Sequence, residues 1–530
     1  MRLTNQGPAM ADIAQADAAV SEAAMLRASL DGAGSAAAEA LPFRLDDYVG
    51  YSYRGKPILD QEGIIGQIDS GREIEGDKIT YTFLDKDHAV GLYNNPNYGF
   101  SEPYGLSVFS EAQRETARDG MELWDDLIPQ DIVESNGMGS DIVFANTVTG
   151  PAQAWAYYPG NGPKYQSDVW IATPEANWSN DWLQFSGYGR TTIIHEAGHA
   201  LGLSHPGSYN YDPELDLTYD NYAEYAQDSE MFSIMSYWGP QETGAPLIVN
   251  WLTGFYSYAQ TPMIHDILTM QAKYGADTTT RSGDTVYFSN STADRDVFDL
   301  DVNPFPYLAV YDAGGEDTFD FSDADAGVFV DLRPGSFSSA AGDIPTAAEA
   351  NVARAEMDEF YPGTLPPRTQ ATMDGIEASY KPVYASLIEG DTGVAGVTAT
   401  SHSNIGVAYG TIIENAIGGS ERDYLVGNDV DNGLTGNGGN DVLNGLGGND
   451  TLTGGEGADS FVIDQVGGMD MLTDFTSGED QIDLSAFGID ASAVTFEADR
   501  ILVDIDGDSV ADLGVITQGD AIQATDILFV

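Results

Sequence analysis

From Gly418 to Val462 the chain divides into five consecutive nonamers: GGSERDYLV, GNDVDNGLT, GNGGNDVLN, GLGGNDTLT and GGEGADSFV. Position one is always glycine. Position six is Asp423, Asn432, Asp441, Asp450 and Asp459, and position eight is Leu425, Leu434, Leu443, Leu452 and Phe461. Strict self-similarity at this period leaves few folds open. Six Gly- and Asp-rich residues can form a turn that presents carbonyls and one carboxylate. Three more form a short strand whose apolar side chain points inward. Stacked units then make a parallel β-roll with calcium between the turns, because calcium takes hard oxygen ligands. A flexible Gly/Asn/Asp linker would not keep the period or the apolar eighth position. The pattern weakens in the first two units, where Glu421 and Val430 replace the fourth glycine and Asn432 replaces the aspartate.

Calcium also bears on the charge. The 530 residues carry 84 acidic against 21 basic side chains, a net −63. Such a chain repels phosphate backbones and anionic membrane surfaces, so neither nucleic acid nor membrane is expected as a partner. Within the repeats the acid is expected to be structural; elsewhere it solvates. No cysteine is present, which excludes disulfides, thiolate metal sites and cysteine catalysis. The first 30 residues lack a continuous apolar run, so no cleaved signal peptide is expected, and no window reads as a transmembrane helix.

The length implies more than one domain. Residues 1–44 read as an Ala-rich tail or propeptide. Residues 45–277 are mixed in texture. FSEAQRETARDGMELWDDL (109–127) has helical spacing with a capping box at Ser110 and Gln113. KITYTFL (78–84), DIVFAN (141–146) and SDVWIAT (167–173) read as strands. Residues 278–530 are Gly- and Asp-rich, with strand-like pieces such as GVFVDLR (327–333). Within them, 340–403 fits neither texture and reads as an insertion. It contains TAAEANVARAEMDEFY (346–361), a helix capped by Thr346 and Glu349.

The six histidines are unevenly spread, with His195, His199 and His205 inside eleven residues. HEAGHALGLSH reads H-E-x-x-H-x-x-G-x-x-H. On a helix, His195 and His199 share a face and can reach one metal ion. Glu196, one step around, can bear on a water there. Gly202 accepts the positive φ that ends the helix and lets the chain return with His205. Three neutral imidazoles with a fourth position open suit one catalytic zinc. His88, His265 and His402 are expected to be surface or packing residues.

About thirty residues later comes SIMSYWG (233–239). The zinc motif followed by this methionine resembles the metzincin metalloproteases, and the S-x-M-S-Y-W wording resembles the serralysin family. Similar wording runs through GHALGLSHPGSYN (198–210), TYDNYAEYAQDSEMFSIMSYW (218–238) and HDILTMQAKYGAD (265–277). The nonamers resemble the RTX pattern. The resemblance implies an α+β metzincin protease domain followed by an all-β parallel β-roll. It makes Met235 the turn residue under the metal. It makes Tyr237 a further zinc ligand that swings to stabilise the transition state, with Glu196 as general base. AQAWAYYPG (152–160) is the expected edge strand for extended peptide.

The same resemblance implies several calcium ions. Expected ligand positions are Arg281, Gly283 and Thr285; Asp312, Gly314, Gly315 and Asp317; and Glu414. Within the repeats they are Gly419, Asp423, Asn437, Gly439, Asp441, Gly448, Asp450, Gly455, Gly457 and Asp459. Ile412 stands where the family has threonine, leaving only its carbonyl to serve. DMLTDFTSGEDQIDLSAFGID (470–490) resembles the segment after the roll, and the ending TDILFV resembles a type I secretion signal. The implied protein is a secreted, extracellular, monomeric zinc endopeptidase, made with a propeptide. Its implied partners are peptide substrates, a proteinaceous inhibitor and a type I secretion apparatus. A non-enzymatic RTX adhesin would explain the repeats but not the zinc motif. An RTX lipase lacks its G-x-S-x-G elbow here. An astacin-type protease would lack the roll.

Overall fold

In the computed structural model, residues 45–85, 102–136, 139–160, 167–212 and 214–529 are described. The expected 1–44 tail and His88 lie outside them. The chain separates into two compact units. One comprises residues up to Thr280 with Tyr307–Tyr311 and Pro345–Asp374; the other comprises Arg281–Pro306, Asp312–Ile344 and Gly375–Val530. The first boundary falls at 280/281 rather than 277/278. Part of the 340–403 stretch, Pro345–Asp374, folds with the first unit.

The first unit is built on a sheet in the order Asp131–Glu134, Lys78–Phe83, Ile142–Thr147, Asp168–Ala172, Ala154–Ala156, with Leu106–Ser107 beside Ile142–Thr147. The first four are parallel neighbours. Ala154–Ala156 runs antiparallel to Asp168–Ala172, with Trp155 opposite Trp170, and forms an edge. The expected helix is Glu111–Asp125, and its capping box forms as read: Ser110 accepts from the Gln113 backbone and Gln113 from the Ser110 backbone. It packs on a second helix, Tyr188–Leu201, where Trp124 Nε1 donates to the Ile194 carbonyl at 3.1 Å. That second helix is buried along its whole length. Its mixed sequence has no solvent face because sheet, helix and loops surround it.

The insertion helix, Ala347–Met357, carries the expected Thr346–Glu349 capping box. Behind it, Met357, Tyr361 and Leu365 join Trp182 and Tyr188 in one apolar cluster, with Trp178, Phe255 and Tyr258 against it. Two arginines complete the attachment. Arg354 is buried and donates to the Thr253 carbonyl, while Arg368 donates to the Trp251 carbonyl at 3.1 Å. Both carbonyls lie in the turn of the Val249–Asn250/Phe255–Tyr256 hairpin. The insertion therefore braces that hairpin.

In the second unit, successive strands alternate between two parallel sheets. One contains Thr318–Asp320, Asn415–Ile417, Gly433–Thr435, Thr451–Thr453 and Met469–Leu472. The other contains Phe329–Asp331, Tyr424–Asn428, Val442–Leu446, Ser460–Val462 and Gln481–Asp483. Strands two nonamers apart are therefore paired in register: Leu434 with Leu452, Leu425 with Leu443, and Leu443 with Phe461. All five eighth-position residues are fully buried. Each contributes roughly 1.5–3 kcal/mol of transfer free energy. No helix among the described residues is long and apolar enough to cross a membrane.

Candidate active site

Three features place the histidines. The Tyr188–Leu201 helix puts His195 and His199 on one face. It ends at Gly202, whose φ of 105° is the left-handed conformation expected of that glycine. A Cβ there would also lie 2.1 Å from the Arg72 carbonyl oxygen, so no other residue fits. The chain then turns back and brings His205 to the other two. The Nε2 atoms of His195 and His199 are 3.1 Å apart, and those of His199 and His205 3.0 Å apart.

The outer nitrogens fix the chemistry of the inner ones. His195 Nδ1 meets the Ile234 carbonyl at 2.7 Å, His199 Nδ1 the Leu203 carbonyl at 2.7 Å, and His205 Nδ1 the Tyr209 carbonyl at 2.9 Å. A carbonyl only accepts, so each Nδ1 carries the proton and each Nε2 presents a lone pair. Burial pushes His195 down to about 4 and His205 to about 3, and holds His199 well below its usual range. Three neutral lone pairs this close repel unless a cation lies between them. The donor set thus suits a metal ion, with second-sphere carbonyls orienting each ring.

Glu196 is fully buried, and neither carboxylate oxygen has a hydrogen-bond partner. Burial holds its carboxyl well above the usual range. An orphaned buried carboxyl next in sequence to His195 is costly unless it has a task there. The Met235 backbone sits beneath: its N–H donates to Ser233 Oγ at 3.1 Å. Met235 is fully buried, and a Cβ at Gly198 would approach its Sδ to 2.8 Å. Gly198 is therefore required for the helix to lie on this turn. The Tyr237 ring stands 4.4 Å from that of His205, and its phenol is raised by burial and then by Glu196. As expected, His265 is a packing residue, stacked on Phe232. His402, in the second unit, pairs with Asp391 at 2.9 Å.

Sequence reasoning missed three supports. Asp266 accepts from Ser233 Oγ at 2.6 Å and from the backbone N–H groups of Ile234 at 2.6 Å and Met263 at 2.8 Å, so it ties the methionine turn to the next helix. Asp228 accepts from Tyr209, Ser236 and Trp238. Tyr158 stands edge-on to His199 at 5.8 Å, its phenol raised by burial and by Glu196. No local motif marks any of them, since each acts across long sequence separations. The edge strand is anchored over the helix by Gln153, whose Nε2 donates to Thr192 Oγ1 at 3.1 Å.

The chain is similar to known proteins. The family model for the serralysin C terminal of peptidase family M10 matches residues 276–356 and 392–501. Over longer spans, the chain is 34% identical to the metalloprotease AprA of Pseudomonas entomophila, across 85% of this chain and 84% of that one. The chain belongs to the serralysin family. It is 36% identical to a serralysin of Photorhabdus luminescens, across 72% of this chain and 67% of that one. It is 33% identical to the metallopeptidase AprA of Pseudomonas marginalis, across 84% of each. It is a zinc metalloendopeptidase, and a non-enzymatic adhesin is not favoured. Two parts of the match are interrupted at 357–391, within the 340–403 insertion.

The second unit also brings its expected residues together. Thr285 N–H donates to Asp317 Oδ1 at 2.8 Å, and Asp317 N–H to Glu414 Oε2 at 2.7 Å. Gly314 N–H donates to Asp312 Oδ1 at 2.8 Å. A Cβ on Gly315 would lie 2.6 Å from the Gly283 carbonyl oxygen. Arg281 adopts a left-handed φ of 46°. In the repeats, Asp423 Oδ2 accepts from the Gly419 N–H, and Asp441 and Asp459 each accept from the N–H of an aspartate 18 residues earlier. Asn437, Gly439, Gly448, Gly455 and Gly457 all have positive φ. Asp441 Oδ2, Asp450 Oδ2 and Asp317 Oδ2 are buried without a partner. Burial pushes Asp317, Asp441 and Asp450 up to about 7 and Asp459 to about 6. Buried carboxylates with an idle oxygen suit a hard cation.

Proposed function

We propose that the protein is a secreted metzincin endopeptidase whose zinc is held by His195, His199 and His205, and whose second unit is a calcium-binding β-roll. The convergence of three Nε2 lone pairs beside the unpartnered Glu196 carboxyl carries the reading. Bound zinc supplies a Lewis acid that polarises the scissile carbonyl and acidifies a water. Glu196 takes a proton from the attacking water and returns it to the leaving amine. Tyr237, whose ring stands beside His205, would donate a hydrogen bond to the developing oxyanion. The substrate lies extended along Ala154–Ala156, whose outer edge offers backbone partners. The turns around Asp441, Asp450 and Asp459, and the Asp312–Asp317–Glu414 group, would hold calcium. Secretion by a type I apparatus and removal of an N-terminal propeptide complete the reading.

Tyr237→Phe tests it. With zinc content unchanged, kcat on casein should fall about 10²-fold, the loss typical of one oxyanion donor. Unchanged kcat would remove Tyr237 from the mechanism.

A further inference from the structure

We propose that Glu230 forms the floor of a substrate subsite adjoining the scissile bond, and that this subsite takes a basic side chain, arginine in preference to lysine. The proposal rests on the active-site reading above and adds a specificity determinant to it.

The backbone places Glu230 beside the reaction centre. Its N–H donates to the Trp238 carbonyl at 2.7 Å, directly after Tyr237. Its carboxylate raises the phenols of both Tyr258 and Tyr307. Tyr258 packs on Tyr188 at 4.8 Å between ring centroids, and the Tyr188 phenol weighs on both Tyr258 and Tyr237. Glu230 thus shares one cluster with Tyr188, Tyr258 and Tyr307, and its backbone is bonded one residue beyond Tyr237. Tyr307 is held in place by Gln260, which donates from its backbone N–H to the Tyr307 carbonyl at 2.8 Å. Gln260 Oε1 in turn accepts from the Tyr307 N–H at 3.0 Å.

Two groups of this cluster, Glu230 and Tyr307, have side chains with no partner within the described protein. Among the described residues, no cation or donor reaches the Glu230 carboxylate, although water does. The Tyr307 hydroxyl is buried with no hydrogen-bond partner. Burial pushes the Glu230 carboxyl up to about 8. A guanidinium entering beside the half-buried Tyr258 would restore that charge by a charge-assisted pair. It would also gain from stacking that the more strongly hydrated ammonium gains less well. The net −63 of the chain favours encounter with basic segments.

The test is a peptide library randomised on both sides of a single cleavage site, digested by the zinc-loaded full-length protein. Arginine, then lysine, should be enriched at one of the two positions adjoining the cut. A matched peptide pair should show an arginine-to-leucine ratio of kcat/KM of about 10 or more. That ratio should collapse toward one in Glu230→Gln, persist in Glu230→Asp, and turn toward acidic side chains in Glu230→Lys. Casein cleavage without basic enrichment in the wild type would overturn this proposal alone, as would enrichment that survives Glu230→Gln. No cleavage of any substrate would overturn the active-site reading as well.

Discussion

The two units handle buried polar groups in opposite ways. In the first, three imidazoles converge at a single point, and each is oriented by a different carbonyl. In the second, the same aspartate-to-backbone contact recurs every 18 residues, from Asp423 N–H to Asp441 and from Asp441 N–H to Asp459. A site assembled once fails with one residue. A site assembled by repetition loses one step and keeps its neighbours, as in other solenoid-like folds. Catalytic function should therefore be concentrated and calcium stability distributed.

Three results would break or sharpen that contrast. The largest concerns calcium. Chelating it from the full-length protein should lower the stability of the second unit by about 2.7–4 kcal/mol per tightly held ion, relative to saturating calcium. Thermal melts followed by circular dichroism would show this; coincident melts with and without chelator would exclude structural calcium. Next is Asp266, which burial pushes up to about 7. Between the unfolded value near 4 and the folded value near 7, the folded state binds a proton that the unfolded chain has lost. Stability from this group is thus greatest at low pH and falls as pH rises through that window, by as much as about 4 kcal/mol. Asp266→Asn removes the slope, so the fall in denaturation midpoint from pH 5 to pH 8 should be smaller than in wild type. An equal fall in both would refute it. The smallest effect belongs to Asn432, which stands where the repeat calls for aspartate. Its Oδ1 accepts from Asn428 N–H at 2.7 Å, as Asp423 accepts from Gly419. Asn432→Asp should raise calcium affinity at one step without moving the others, measurable by calorimetric titration.

What could be read from the sequence follows the same division. The repeat, both capping boxes and the helix end at Gly202 are local in sequence, so spacing alone locates them. The Gln370–Thr392 helix was not legible, because Pro382 sits inside it and reads as a breaker. The bracing of the Trp251–Thr253 turn by Arg354 and Arg368 spans more than 100 residues. Nothing in the insertion's own composition marks its two arginines as anchors rather than solvated charges. Asp228, Glu230 and Asp266 belong with them: their roles come from burial among distant elements, and the chain contains many acidic residues that look the same in sequence.

The central claim is that Glu196 works as the proton carrier beside a three-histidine zinc site. The measurement that tests it most directly is casein hydrolysis by Glu196→Ala at zinc content matched to wild type. General-base loss should cost between about 10² and 10⁴ in kcat while the variant keeps its metal and its fold. A zinc-loaded, folded Glu196→Ala protein that cleaves casein as fast as wild type would contradict the account.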